Sequence, residues 1–319
     1  MGAGAIAREH LRCLATLPEA EAVAVCDLSP AAAEMASERY GVPGVFTSVS
    51  AMLEAAHPDV VHVTTPPAAH FQVASEALRA GAHAIVEKPL AGSDDEVAAL
   101  IELARSSGLV LIEDYNYAFQ SQTLVMLEMP GQVLGEIVHV DVEVALERER
   151  GPAAVRDFLP HLASVAHAFL GPHTRIAGAA RPADGELDAL VEYNGATASL
   201  RFSSRAQPDG LWVRVQGTRG RASANLFEPR LTVERLRGGP RPLNPLLNQL
   251  AESRSAAQAA LAGVARKLRG GPGAYEGMWE LLARTYRALA AGVEPPVTIE
   301  RIEEVNRLVA ELDGVVGPA

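Results

Sequence analysis

Residues 60–90 read VVHVTTPPAAHFQVASEALRAGAHAIVEKPL, and their pattern decides the fold. Val60–Thr64 is a short β-branched run that ends in Thr65-Pro66-Pro67. The spacing then predicts a helix over Ala68–Ala80. Phe71, Ala74, Ala77 and Leu78 form one stripe, and Gln72, Glu76 and Arg79 the other. Gly81 is a usual C-terminal stop, and Ala84–Val86 is a second apolar run, halted by Glu87-Lys88-Pro89. Strand, helix and strand in that order make a βαβ unit with parallel strands. Two features then stand at neighbouring strand ends: a Thr-Pro-Pro turn and a lysine between Glu and Pro. That carboxyl edge is where open α/β sheets bind ligands.

The pattern extends in both directions. The chain opens M-G-A-G-A-I-A, in which Gly2, Gly4 and Ala7 fit G-x-G-x-x-G/A, and a helical pattern follows through Ile6, His10, Leu14 and Leu17. Ala22–Cys26 is a short strand that ends at Asp27, 20 positions beyond Ala7. That is the usual separation between a glycine turn for pyrophosphate and a carboxylate for the adenosine ribose. Gly2 allows the tight turn, Gly4 lets backbone N–H groups approach, and the helix start at Ala5-Ile6 stabilises the negative charge. A plain turn would use the same glycines. Asp27 also has a second reading as a helix cap, because Ser29-Pro30 opens the next helix. A fingerprint of this kind follows a strand, yet only Met1 precedes Gly2. About five buried apolar residues at roughly 1.5–3 kcal/mol each rival the stability of a domain. The expectation is therefore a first strand missing from this reading frame, with the true start about 6–8 residues upstream. The alternative is a truncated chain with impaired cofactor binding.

Beyond Asp27 come helix Ala31–Tyr40, a short strand near Val45-Phe46, helix Val49–Ala56, the βαβ unit, helix Asp94–Ser107 capped by Ser93, and strand Leu109–Ile112. Such alternation implies a doubly wound parallel sheet over residues 1–114. From Tyr115 to Ala319 the character changes. Val138, Val140, Val142, Val144 and Leu146 alternate with His139, Asp141, Glu143 and Glu147, a strand with one buried face. Further strands are expected at Arg175–Ala180, Leu187–Tyr193, Thr197–Ser203, Trp212–Gly217, Ala222–Leu226 and Leu231–Arg237, with Asn194-Gly195 as a hairpin turn. Arg237–Pro245 reads as a loop, and Gln249–Leu268, Tyr275–Ala291 and Ile299–Leu312 as helices. The second domain is thus α+β with a large, mostly antiparallel, open-faced sheet, and the last helix is expected to pack back on the first domain. If Phe158–Leu170 is helical, Asp157 and His161 share one face near its start, where a carboxylate can orient an imidazole. An N-cap aspartate and a buried structural histidine would give the same spacing.

Composition narrows the function. The 319 residues are 48% hydrophobic, and 39 acidic against 28 basic residues give a formal charge of -11, so nucleic acid is not an expected partner. No apolar run approaches the roughly 18 residues of a membrane span, and no cleavable signal opens the chain. Cys13 and Cys26 make neither a disulfide framework nor a metal spacing, which predicts a cytoplasmic protein with no metal site.

With these residues in place, the chain resembles the glucose–fructose oxidoreductase / inositol dehydrogenase / rhizopine-catabolism (Gfo/Idh/MocA) family. The likeness rests on GAGAIAREH at 2–10, the strand ending at Asp27, TPPAAH at 65–70, AGAHAIVEKPLA at 80–91, Asp157-x-x-x-His161, GTRG at 217–220 and GVEPPVT at 292–298. It implies a Rossmann domain, a large antiparallel α/β domain and NAD(P) between them. It also implies oxidation of a secondary alcohol of a sugar, sugar nucleotide or cyclitol, or the reverse. Lys88 would touch substrate and the nicotinamide ribose, Asp157 and His161 the substrate, with His161 as acid/base. These assignments suit the chemistry: imidazole accepts a proton near neutral pH, and a lysine cation stabilises developing alkoxide. Glu87 positions Lys88, Pro89 fixes the turn, and Thr65, Pro66 and His70 lie along the cofactor, His70 being equally readable as a cap. Asp27 favours NAD, since its carboxylate repels a 2′-phosphate and Leu28-Ser29-Pro30 offers no arginine.

The chain departs from the family at two places. Tyr115-Asn116-Tyr117-Ala118-Phe119 stands where many members carry an Arg-Phe pair, and Gly151–Arg156 replaces the usual Gly-Gly-rich approach to the aspartate. Asn116 and Arg156 are the candidate substrate contacts there. The alternatives to a dehydrogenase are a non-catalytic dinucleotide-binding protein and an enzyme that uses retained NAD for redox-assisted elimination. A homodimer or homotetramer is expected, because a one-sided sheet must cover its other face.

Overall fold

The computed structural model describes residues 1–129, 131–147, 152–228, 230–235, 243–244, 246–250, 253–254 and 273–316. Most of the expected loop Arg237–Pro245 and helix Gln249–Leu268 therefore lies outside the described residues. The chain divides into two units. One comprises Met1–Asp114 and Met278–Asn306, the other Tyr115–Gly277 and Arg307–Ala319.

In the first unit, helices α1 (Ala5–Leu14), α2 (Pro30–Tyr40), α3 (Val49–Ala56), α4 (His70–Arg79) and α5 (Asp94–Ser107) alternate with strands β1 (Ala24–Cys26), β2 (Gly44–Phe46), β3 (Val60–Val63), β4 (His83–Val86) and β5 (Leu111–Glu113). All strand pairings are parallel, in two groups, β1-β2 and β3-β4-β5. Met1 and Gly2 bond to both groups: Gly2 N–H donates to Cys26 O at 2.8 Å, and Thr64 N–H to Met1 O at 2.9 Å. β4 is central, with Ala84, Ile85 and Val86 fully buried, as a strand covered on both faces must be. Ala74, Ala77 and Leu78 of α4, the helix that packs on β3 and β4, are buried, as are Leu100 and Ala104 of α5, which packs on α4. The expected helix Ala68–Ala80 is shorter than its pattern. Pro67–Ala69 forms a 3-10 turn, since Pro67 offers no N–H to continue an α-helix upstream. Strand β5 runs one residue past the expected Ile112 and carries the buried carboxylate of Glu113.

In the second unit, α6 (Ser121–Leu127) and α7 (Gly131–Leu134) precede β6 (Ile137–Ala145), α8 (Pro152–Leu170), β7 (His173–Ala180), β8 (Glu186–Tyr193), β9 (Ala196–Ser203), β10 (Gly210–Gly217), β11 (Gly220–Asn225) and β12 (Leu231–Arg235). The seven strands order as β12-β11-β10-β6-β9-β8-β7, and only the β6-β9 pair is parallel. Asn194-Gly195 closes the β8-β9 hairpin, with Gly195 at φ +83°. Of the expected apolar stripe in β6, Val140, Val142 and Val144 are fully buried while Val138 is 43% exposed. The buried face packs under α8, where Phe158 meets Phe202 with ring centroids 5.6 Å apart. The other face is charged and carries pairs such as Arg201–Asp188 and Arg214–Asp141.

α8 corrects one expectation. It starts at Pro152, not Phe158, so Asp157 and His161 lie within the helix rather than at its start, and Asp157 is no N-cap. Pro at the first helical position suits the fixed φ of its ring. The helix also runs through Pro160, whose interior placement costs about 3 kcal/mol. Val155, Leu159, Leu162 and Val165, all fully buried, span the proline and outweigh that cost.

Helices α9 (Glu276–Ala291) and α10 (Ile299–Val316) end the described chain. No helix among the described residues is long and apolar enough to cross a membrane. Phe202→Ala should lower the unfolding free energy by about 3–5 kcal/mol, because it opens a cavity between α8 and the sheet; urea titration with an α8 probe measures this.

Candidate active site

The candidate residues of the first unit stand at strand ends and at the start of α1. α1 begins at Ala5 with Gly4 as N-cap, and no side chain caps it. Its first-turn N–H groups are therefore open to an anion. A Cβ on Gly4 would meet nothing within 4 Å, whereas one on Gly2, at φ +83°, would stand 2.7 Å from Thr64 O. Gly2 is thus the position that must be glycine. Asp27 follows β1 and is committed locally: Oδ2 accepts from Ala3 N–H at 2.7 Å and Oδ1 from Ser29 N–H at 2.8 Å. The cap of α2 is Ser29, not Asp27.

After β3, Thr64 Oγ1 donates to the carbonyls of Met1 and Gly2, while Thr65 Oγ1 is buried with no partner among the described residues. His70 opens α4 but is not its cap. Its ring is 1% exposed, and its nitrogens face two carbonyls, Nδ1 to Pro89 O at 2.7 Å and Nε2 to Thr65 O at 2.8 Å. One side chain therefore ties the Thr65-Pro66 turn to the Glu87-Lys88-Pro89 turn.

That second turn is held from three sides. His70 takes Pro89, and Leu90 N–H donates to Glu113 Oε1 at 3.2 Å, whose Oε2 accepts from Asn306 Nδ2 at 2.7 Å. His10 Nε2 lies 3.1 Å from Glu87 Oε1. Behind His10 the contacts continue, with Nδ1 2.7 Å from His62 Nδ1 and His62 Nε2 2.9 Å from the Tyr286 hydroxyl. Asp114 is also hydrogen-bonded to Glu87, and its Oδ2 lies 4.0 Å from His10 Nε2. Burial, with Glu87 and Glu113 as acidic neighbours, pushes the Asp114 carboxyl well above the usual range, which favours its protonated, donating form. Burial would also raise Glu87, but the hydrogen bonds from His10 and Asp114, with the Lys88 charge, hold it below its usual value. Burial and the nearby His10 push His62 well down.

The second unit carries the remaining expected residues. His161 is 4% exposed, with its ring against Tyr117 at 4.6 Å, edge to face, and against Phe158 at 5.4 Å. Asp157, one turn earlier, is exposed. Asn116 sits in a 3-10 turn with Oδ1 buried and unpartnered among the described residues. Arg156 Nε bonds Asp313. Burial raises the Tyr117 phenol to about 12.

His10, His62, Glu113, Asp114 and Tyr286 are absent from the sequence-based site. Two signals pointed to them. His10 occupies an apolar stripe position in α1, and Glu113-Asp114 ends a buried strand at the ligand edge with two adjacent acids.

Comparison with known proteins agrees with this architecture. Residues 1–115 match the profile of an oxidoreductase family with an NAD-binding Rossmann fold. That profile, which covers about a third of the chain, is the one named GFO_IDH_MocA. Similar proteins include D-xylose 1-dehydrogenase (NADP(+)) 2 of Haloferax volcanii, 29% identical over 65% of this chain and 69% of that enzyme. Another is D-glucoside 3-dehydrogenase of Escherichia coli, 37% identical over 46% of this chain and 42% of that protein. Among solved structures, the WlbA dehydrogenase of Bordetella pertussis, in complex with NADH and UDP-GlcNAcA, superposes over 99% of this chain and 93% of its own with TM-score 0.77 and 18% identity. The matched segment takes in the motifs at 2–10 and 80–91.

His70→Ala should remove the one N–H that the neutral ring can donate to the Thr65 or the Pro89 carbonyl. A carbonyl left unpaired costs about 1–3 kcal/mol. Urea unfolding and faster hydrogen exchange at Leu90 N–H report the loss.

Proposed function

We propose that this chain is an NAD-dependent oxidoreductase that moves a hydride between nicotinamide and a secondary alcohol or ketone of a sugar, sugar nucleotide or cyclitol. The observation that carries the reading is Lys88 in a turn fastened on three sides, at the carboxyl end of β4 and tied to the Thr65 turn. The sugar-directed names of the D-xylose and D-glucoside relatives support the substrate class.

The residues fit a dinucleotide. Ala5 and Ile6 N–H groups at the uncapped start of α1, beside Gly2 and Gly4, suit the pyrophosphate, and Asp27 suits the adenosine ribose. The orphan hydroxyl of Thr65, with Pro66 and Glu87-Lys88, suits the nicotinamide end. When bound, NAD supplies the hydride acceptor. Lys88 stabilises negative charge on the substrate oxygen, and His161 takes the hydroxyl proton, as an imidazole does near neutral pH. Asp157, one helical turn before His161 on α8, supports the charged ring. Asn116 offers its buried amide oxygen to a substrate hydroxyl. Arg156 is engaged by Asp313, so we assign it no direct substrate contact.

Lys88→Ala and His161→Ala should each lower turnover by about 10²–10⁴-fold while NAD binding changes little; undiminished turnover in both variants sinks the assignment. Steady-state NADH absorbance over a panel of sugars, sugar nucleotides and inositols gives the measurement. Asp27 beside the ribose predicts tighter binding of NAD than of NADP in calorimetric titration, and the opposite order refutes the NAD preference.

A further inference from the structure

Five side chains that meet behind Lys88 come from five separate stretches: Tyr286 on α9, His62 on β3, His10 on α1, Glu87 after β4 and Asp114 after β5. They touch in that order, Tyr286 hydroxyl to His62 Nε2 at 2.9 Å, His62 Nδ1 to His10 Nδ1 at 2.7 Å and His10 Nε2 to Glu87 Oε1 at 3.1 Å. Asp114 closes the series with its hydrogen bond to Glu87.

Hydrogen counting gives this series a direction. A carboxylate only accepts, so His10 must carry its hydrogen on Nε2. A neutral imidazole has one hydrogen, so His10 Nδ1 accepts, and the facing Nδ1 of His62 must donate. His62 Nε2 then accepts, and the Tyr286 hydroxyl supplies the hydrogen. On the other side Asp114 donates its carboxyl hydrogen to Glu87. Donation thus converges on Glu87 from both ends, and each contact has one donor and one acceptor.

We propose that Tyr286, His62, His10 and Asp114 form a one-way chain of donors that ends on Glu87, fixes its carboxylate as an acceptor, and thereby positions the turn that presents Lys88. They are positioning residues, and the claim rests on the reading of Lys88 as a catalytic group. The same His10, Glu87 and Asp114 atoms lie within 4.8 Å of one another, which would also suit a divalent cation. A cation reverses every direction: His10 would give up its Nε2 hydrogen, carry one on Nδ1, and force His62 to accept there. Asp114 would have to be an ionised ligand. The lysine charge beside Glu87 opposes that arrangement.

Two measurements test the chain. The first is the ¹⁵N imidazole spectrum of the full-length protein at pH 8, above the ordinary titration range of histidine. It is expected to show the Nε2–H tautomer for His10 and the Nδ1–H tautomer for His62. The reverse tautomers, or an imidazolium on either ring, overturn the chain. The second compares Asp114→Asn with Asp114→Leu. Asparagine keeps a donor toward Glu87, and leucine has the same bulk with none. Turnover with unchanged KM for NAD should stay within about threefold for Asn and fall about 10–100-fold for Leu. Equal loss in both variants means that Asp114 serves as a carboxylate, and equal retention means that its donor does not matter; either result overturns the proposal. The spectrum needs no turnover, so an inactive wild-type protein with the expected tautomers would count against the substrate reading and not against the chain.

Discussion

Burying negative charge at the carboxyl edge of β4 and β5 is the constraint on which the first unit depends. Glu87, Glu113 and Asp114 lie within one small region, and Glu113 is fully buried. An uncompensated buried carboxylate costs more than a domain can absorb. Each of the three meets the problem differently. Glu113 divides its two oxygens between Leu90 N–H and Asn306. The Asp114 carboxyl is pushed up toward its protonated form, and hydrogen bonds from His10 and Asp114 hold Glu87 below its usual value. The outcome is a lysine turn whose backbone has few ways to move, which is the condition for placing an ammonium group within tenths of an ångström.

The second unit solves a different problem. Its sheet must carry a helix with an internal proline and a buried histidine. The stripe of Val155, Leu159, Leu162 and Val165 fastens α8 to β6 and β9, while Tyr117 and Phe158 hold the His161 ring by its edges. Aromatic contacts of this sort restrict the orientation of the ring. Position is imposed by packing here and by hydrogen bonds around Lys88.

Much of this was legible in the sequence. The β3–α4–β4 unit could be read because β-branched runs, Thr-Pro-Pro and Gly81 punctuate it at every change of structure. The antiparallel strands could be read because their valines alternate. The start of α8 could not, since proline at 152 and 160 looks like two breaks until the buried stripe on both sides of Pro160 is seen. The donor chain could not be read either. It takes one residue from each of five stretches, and beyond Glu87 in its motif and the acid at the end of β5 the members blend into their local patterns: a histidine on an apolar stripe looks like core, and a tyrosine in an amphipathic helix looks like surface.

The bond from Asn306 to Glu113 carries a consequence for biogenesis. The unit that holds Lys88 is discontinuous, because Met278–Asn306 completes what Met1–Asp114 begins. A ribosome adding about 5–20 residues per second releases Asn306 many seconds after Glu113. Throughout that interval the buried acid lacks one of its two donors, and His62 lacks the Tyr286 hydroxyl. The lysine turn is therefore among the last parts of the nascent chain to set, after Tyr115–Gly277 of the second unit has been synthesised. A fragment ending at Asp114 would hold the whole nucleotide fingerprint and still leave its charged edge unfinished.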